Sequence, residues 1–417
     1  MVSSFLDQVP LSGIIRIRDM MYGVDKPFRL DQGDVSFDAP DSVKQALIQA
    51  VHDNRSHYVQ TTGIPPLVSA LAGKMRAKNG IPIGGDEEVM VTAGGIHGVY
   101  IATQGLLEPG DEVIVPDPLW PPAAGCIQAA RAVPVPCPLH ESLGWRWDLD
   151  ELERLITPKT RAIYINSPNN PAGGVLTRPD LERIAAIAQA HDLWVLSDEA
   201  YEDVVFEGEH VSIASLPGMY DRTIPIYTFS KTYAMTGLRL AYLAVKDPAV
   251  RDRVRKVLFY TVSSVSSLVQ YGGLGGVLGD QSVVDGFRTE LAARRDLFYE
   301  GMRDAAGHVL TGEKPAGAFY AFMKIADDWT PPAGSQASRS WAMTEMLISR
   351  GRVGCIPGVD FGANGENHIR FCFARERKEL EGALASIRQV FRTQGGSAGL
   401  PPSRNASADR HSLGDGG

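Results

Sequence analysis

Apolar runs that alternate with amphipathic helical segments leave this chain few folds to adopt. The runs 88–92, 112–116, 132–136, 161–166, 194–197, 223–229 and 239–245 each read as strands, and helical patterns such as 178–191 separate several of them. A parallel neighbour is reached only through a crossover, so this alternation predicts a mostly parallel α/β sheet, with its ligand beyond the carboxyl ends of the strands. Upstream, Asp41-Ser42 can cap a helical run over 43–54, and Gly63-Ile64-Pro65-Pro66 interrupts before a second one. The strand at 88–92, the turn Ala93-Gly94-Gly95 and a helix over 96–107 then give the layout of a phosphate site, because backbone N–H groups at a helix start are free to receive an anion. Downstream lies a long helical stretch over 250–305, whose Arg and Lys residues read as a solvated face. Strands at 317–325 and 368–373 with a helix at 338–350 predict a smaller α+β unit. The tail 393–417 is rich in Gly, Ser and polar residues without periodicity, and is expected to be disordered.

With 417 residues the chain exceeds the roughly 250–300 at which single cores stop growing, so two domains are expected. A hydrophobic content of 44% and a charged content of 22% fit a soluble globular enzyme. The formal charge of -8 argues against a nucleic-acid partner, which would need a basic stripe. Cys126, Cys137, Cys355 and Cys372 show neither CxxC spacing nor a histidine cluster, so no disulfide framework and no metal is expected, and a reducing cytoplasm fits. No apolar run reaches the roughly 18 residues that mark a membrane span.

Chemistry concentrates in TFSKTYAMTGLRLAY, 228–242. A lysine amine is a poor nucleophile at its free pKa of about 10.4, so chemistry at Lys231 requires desolvation or a neighbouring cation, for which Arg239 is a candidate. Ser230 and Arg239 can both bond phosphate oxygens, the guanidinium as an orienting fork. Together they describe a Schiff-base lysine beside a phosphorylated aldehyde. The alternative is a surface Lys and Arg on a turn.

Other stretches add to this one. Asn170, in the turn-rich NSPNNPAG that follows an apolar strand, can bond a cofactor oxygen or simply stiffen a loop. Asp198 ends a strand, where it caps a helix or holds a heterocyclic nitrogen protonated; Tyr201 can add a phenolic bond. Arg370 stands in an otherwise apolar strand, either in a structural ion pair or as a bidentate clamp for a substrate carboxylate.

In order and spacing these pieces resemble the fold-type I pyridoxal-phosphate enzymes, specifically the class I/II aminotransferases of the aspartate aminotransferase superfamily, from about Leu11 to Val390. The resemblance implies a three-layer large domain over 41–285, and a small domain built from both chain ends, over 1–40 and 286–392. It implies that Lys231 forms an internal aldimine with pyridoxal 5'-phosphate and then shuttles a proton. Asp198 would meet the pyridine nitrogen, Asn170 and Tyr201 the ring oxygen, and Ser230, Arg239 and the Gly94-Gly95-Ile96 turn the phosphate. Trp120 matches an aromatic that stacks on the ring, Arg370 the α-carboxylate clamp, and Tyr58 a tyrosine that reaches the neighbouring subunit's phosphate in a homodimer. Gly33 falls where the family's Gly-Glu-Pro-Asp-Phe lines the substrate site, although here the chain reads Gly33-Asp34-Val35-Ser36-Phe37.

Ile96 departs from the Ser, Thr or Lys of many relatives and leaves only its backbone N–H for phosphate. With Gly13 and Ile14 in the segment that resembles the N-terminal lid, it predicts a pocket for a neutral aliphatic or aromatic amino acid. A 2-oxo acid would complete a ping-pong exchange. The rival on the same cofactor is a β-eliminating C–S lyase, since fold does not fix reaction outcome. A non-catalytic pyridoxal-phosphate-binding regulator would need a DNA-binding extension, of which no pattern is seen. No GxxxxGK[ST] supports a nucleotide enzyme.

Overall fold

The computed structural model describes residues 9, 12–332, 335 and 337–392; the tail expected to be disordered lies outside the described residues. Eight strands form the large sheet: β1 Val89–Thr92, β2 Glu112–Asp117, β3 Val133–His140, β4 Arg146–Trp147, β5 Thr160–Asn166, β6 Trp194–Asp198, β7 Thr223–Thr228 and β8 Ala241–Ala244. Their spatial order is β1-β8-β7-β6-β5-β2-β3-β4. Neighbours from β3 through β2, β5 and β6 to β7 are parallel, whereas β8 runs against both β7 and β1, and β4 against β3. The mostly parallel sheet read from the alternation is therefore present.

Side chains that alternate along the strands enter two separate cores. Val113, Val115, Tyr164 and Leu196 pack on one face with Val99 and Ala102 of the helix Gly95–Leu106, while Ile114, Ile163, Ile165 and Val195 pack on the other with Ile184 and Ile187 of Arg178–Ala190. Each fully buried aliphatic of this kind contributes about 1.5–3 kcal/mol. Both faces are covered, which is why the strands read as continuous apolar runs rather than as alternating ones.

Local chemistry corrects three expectations. The first helix after the opening segment, Asp41–His52, takes Pro40 as its cap with no side-chain bond, so Asp41 serves the helix dipole from within the first turn. Pro65 and Pro66 do not precede the next helix but open it, Pro65–Ala77, where a missing N–H is harmless. The stretch 250–305 is three helices, Pro248–Val262, Ser267–Leu278 and Ser282–Ala306, the first ended by Ser263 at φ 59°. Its charges are not all solvated: Arg294 is buried, donating to Ser36 Oγ and the Ala374 carbonyl at 2.8 and 3.0 Å, and pairing with Glu290.

A second sheet, antiparallel, joins β9 Leu310–Thr311, β10 Tyr320–Ile325, β11 Ile356–Pro357 and β12 His368–Cys372 in the order β11-β12-β10-β9. Its core includes Leu30 and Val35 together with Phe298, Phe319, Leu347 and Phe371, so residues from both ends of the chain share one apolar cluster. This packing carries the loop at Gly33 to the edge of the large sheet.

Candidate active site

Thr92, the last residue of β1, and Thr228, the last of β7, both lie opposite Ala241, the first residue of β8. The reversal of β8 thus brings the end of two strands and the start of a third to one level. Gly94 and Ser230 stand two residues beyond this row, and Arg239 two residues before it. Gly94 has φ 86°, and a Cβ there would sit 2.2 Å from Arg239 Nη2, so only glycine lets the guanidinium lie against this turn. Arg239 is itself left-handed at φ 58° and is braced by a 2.7 Å bond from Nη1 to the Thr236 carbonyl. The helix Gly95–Leu106 begins at the same edge, and Thr228 Oγ1 accepts from Ser230 N at 3.1 Å. An anion placed here meets a helix N-terminus, a hydroxyl and a guanidinium.

A cavity of about 410 Å3 opens at this edge. Ile14, Gly33, Gly95, Ile96, Trp120, Asn170, Asp198, Tyr201, Ser230, Lys231, Arg239 and Arg370 all line it. Gly94 backs it through Arg239. Tyr58 stands apart from it and is 91% exposed.

Lys231 follows β7 and extends its amine to the Gly33 carbonyl. Its pKa falls to about 8, chiefly because burial disfavours the ammonium; Asp34 and Cys372 oppose the fall, and Arg370 and Arg239 add to it. Arg239, expected to be the depressing cation, is a minor contributor because it is exposed and solvated.

Asp198 ends β6, level with Asn166 at the end of β5. Tyr164 Oη donates to its Oδ2 at 2.7 Å and Ala200 N to its Oδ1 at 3.2 Å. Burial raises its pKa to about 6 against the pull of these bonds. A buried carboxylate without an ion-pair partner among the described residues is a natural seat for a cationic ring nitrogen, which would return it to the ionised form.

Arg370, in the middle of β12, is 2% exposed. Its Nη1 donates to Asn170 Oδ1 at 3.1 Å and its Nη2 to the Asp31 carbonyl at 2.7 Å, while Nε has no hydrogen-bond partner among the described residues. The Tyr320 and Phe361 rings lie 4.6 and 5.0 Å from its guanidinium carbon. The structural ion pair considered from sequence is absent, for no carboxylate among the described residues pairs with it. Asn170 in turn donates from Nδ2 to Tyr201 Oη at 3.4 Å, and Tyr201 Oη shares a 2.8 Å bond with Tyr320 Oη.

Tyr320, Tyr164, Asp31, Asp34, Thr236 and Arg18 were not singled out from sequence. Tyr164 and Tyr320 carry hydroxyls inside apolar strands, a pattern that signals a buried partner. Gly33 also gains a reason, since a Cβ there would meet Tyr320 Oη at 2.4 Å.

Fold and site together define a fold-type I pyridoxal-phosphate-dependent enzyme. Residues 25–387 match the family model for aminotransferase class I and II, and the chain belongs to that family as a transaminase. It is 35% identical over 394 residues to aromatic-amino-acid aminotransferase 2 of Thermococcus litoralis, covering 94% of this chain and 98% of the relative. It is 34% identical over 394 residues to an aspartate aminotransferase of Pyrococcus abyssi, with coverage of 94% and 98%. The crystal structure of an aromatic aminotransferase from Pyrococcus horikoshii superposes with a TM-score of 0.83 at 33% identity, covering 91% of this chain and 99% of that one. The family's cofactor fits the residues present: the strand-edge anion seat, the unpaired Asp198 and the amine of Lys231 open onto one cavity. Among the described residues no cluster of His, Cys, Asp or Glu could hold a metal, and no helix is long and apolar enough to cross a membrane.

Proposed function

We propose that this aminotransferase moves an amino group between a neutral aliphatic or aromatic α-amino acid and a 2-oxo acid, in a ping-pong cycle at Lys231. The observation that carries this reading is Arg370, a buried guanidinium with an unused Nε and no protein carboxylate, opening onto the same cavity as the Lys231 amine. Leaving a buried cation unpaired is costly, so the site calls for an anionic ligand. An α-carboxylate supplies it and brings the adjacent amino-bearing carbon toward Lys231.

Bound pyridoxal phosphate supplies an aldehyde that captures amines and a ring that withdraws electrons. Ser230, Arg239 and the backbone at Gly95 and Ile96 would hold its phosphate, with Gly94 leaving room for Arg239. Asn170 and Tyr201 would address the ring oxygen, Asp198 would keep the ring nitrogen protonated, and Trp120 would offer an aromatic face. Lys231 Nζ would be the amine that meets the cofactor's aldehyde and would take and return the α-proton; its lowered pKa would make that exchange accessible near neutrality.

Ile14, Ile96 and Trp120 give the cavity an uncharged side, which supports a neutral donor. The relatives' names include both aromatic and aspartate aminotransferases, and the uncharged lining favours the former kind of donor. Tyr58 is 91% exposed just before Gln60-Thr61-Thr62, which border an open groove with Phe259 and Tyr260; this supports a homodimer in which Tyr58 reaches the neighbour's phosphate. The four cysteines are buried and free, in keeping with a reducing cytoplasm. Steady-state rates across amino donors test the substrate: turnover with aspartate alone, alanine and aromatic donors being inert, sinks it. Release of pyruvate and ammonia without any oxo acid would instead indicate the eliminating lyase.

A further inference from the structure

Arg370 can only donate, so its bond to Asn170 Oδ1 fixes which end of that amide is the acceptor and leaves Nδ2 as a donor. Nδ2 donates to Tyr201 Oη at 3.4 Å, and the other partner of that oxygen among the described residues is Tyr320 Oη, at 2.8 Å. Both phenols are buried, 5% and 1% exposed, and burial raises the pKa of each, so each carries its proton. Two hydroxyl protons thus serve one mutual bond. The other proton has no acceptor among the described residues, and both side chains line the cavity.

Packing decides which hydroxyl keeps the spare proton. Phe206 N donates to the Ala316 carbonyl at 2.7 Å and Ala318 N to the Val204 carbonyl at 2.8 Å, which sets the approach to β10 against the segment that follows β6. Tyr320, the first residue of β10, then meets Tyr201 edge to face, with ring centroids 5.8 Å apart. Its ring lies 4.6 Å from the Arg370 guanidinium carbon, and its hydroxyl is walled by Gly33, where a Cβ would come within 2.4 Å. A hydroxyl so enclosed has Tyr201 as its acceptor. Tyr201 Oη then accepts from Asn170 and Tyr320 with both lone pairs, and its own proton is the one left for a ligand.

We infer that Tyr320 is a positioning residue: it donates to Tyr201 Oη and so turns the Tyr201 proton toward the ring oxygen of the bound cofactor. The inference rests on the reading that places Tyr201 at that oxygen. A donor that itself accepts a hydrogen bond is polarised and donates more strongly, so Tyr320 acts on the cofactor through Tyr201.

The test uses enzyme reconstituted with pyridoxal phosphate, without substrate, and reads the pH midpoint of the bound cofactor's visible absorbance. A hydrogen bond to the ring oxygen favours its anionic form, and with it loss of the proton which that oxygen shares with the Lys231 nitrogen. Tyr201→Phe removes the bond and raises the midpoint. Tyr320→Phe keeps the ring beside Arg370 and raises the midpoint by about half a pH unit, the lower end of one hydrogen bond's worth. In the double variant the midpoint equals that of Tyr201→Phe alone, because the relay has lost its only route. Arg370, Asp198, Asp34 and Cys372, the charged or titratable groups about the two phenols, are unaltered in all three. No shift in Tyr320→Phe, or a shift that persists in full on the Tyr201→Phe background, overturns the relay and leaves Tyr201 at the ring oxygen. No shift in Tyr201→Phe sinks the placement of Tyr201 itself, and the relay with it.

Discussion

Arg370 Nη1 donates to Asn170 Oδ1 at 3.1 Å, joining the small antiparallel sheet to the loop after β5 of the large one. Through Asn170 Nδ2 the same amide reaches Tyr201 Oη. The clamp proposed for substrate and the group proposed for the cofactor oxygen are thus joined through one side chain's hydrogen bonding.

Replacing Arg370 by Lys keeps a charge and loses the fork. Because the site also orients Asn170, kcat/KM falls about a hundredfold for every amino acid tested, equivalent to about 2.7 kcal/mol. Steady-state kinetics with several donors check this. A defect confined to one donor would place Arg370 against a side chain rather than the α-carboxylate.

Asp198→Asn removes the anion while preserving a polar group for Tyr164 Oη. Turnover falls by about a hundredfold, because the ring nitrogen loses the charge that keeps it protonated. The same residue gives the cofactor-free protein a pH signature. Its folded pKa is raised from 3.8 to about 6, so the folded state favours the protonated acid, and stability present below about pH 4 is lost as pH rises to about 6. Urea unfolding of cofactor-free wild type and Asp198→Asn across that window should show the loss, about 2–3 kcal/mol, in wild type only.

Lys231 must be neutral to attack an aldehyde. With its pKa lowered from 10.5 to about 8, the rate of covalent capture of added pyridoxal phosphate by cofactor-free enzyme climbs with pH and levels off above about pH 8. Stopped-flow absorbance follows this directly. A rate still climbing tenfold per pH unit at pH 9 would mean that burial does not depress the amine. Lys231→Ala abolishes both capture and turnover.

Gly94→Ala forces a Cβ to within 2.2 Å of Arg239 Nη2 at a backbone angle that L residues rarely adopt. The strain costs about 1–3 kcal/mol and displaces the guanidinium. Thermal unfolding and equilibrium binding of pyridoxal phosphate both register it. Unchanged cofactor affinity would separate Arg239 from the phosphate.

The parts of the site that were legible in sequence are those carried by local pattern. Lys231 and Arg239 sit in one short run, Gly94 in a strand-turn-helix signal, and Asp198 and Asn170 just past apolar strands. Tyr320 was illegible because only the packing of β10 against the segment that follows β6 brings its hydroxyl to Tyr201, across a wide sequence separation. Arg18 was hidden differently: its helical phase with Ile14 could be read, but which face of the helix Gly13–Tyr22 meets the cavity depends on Ile17 and Met21 being buried. Of the two breaks in the stretch 250–305, the one at Ser263 was hidden because it turns on a backbone angle without the glycine or proline that usually marks such a place, whereas the one at Gly279 carried that mark and was overlooked.

The reversed strand β8 has a mechanical consequence. Lys231 and Arg239 belong to a single hairpin whose two legs are hydrogen-bonded neighbours, with β1 clamping the far side. Arg370 rides on the other sheet. A rigid tilt of one sheet against the other would therefore alter the spacing between clamp and amine while the phosphate anchorage stayed fixed. On the proposed roles, the residues that would hold the cofactor share one hydrogen-bonded frame, and the residue that would grip the substrate stands on the other sheet.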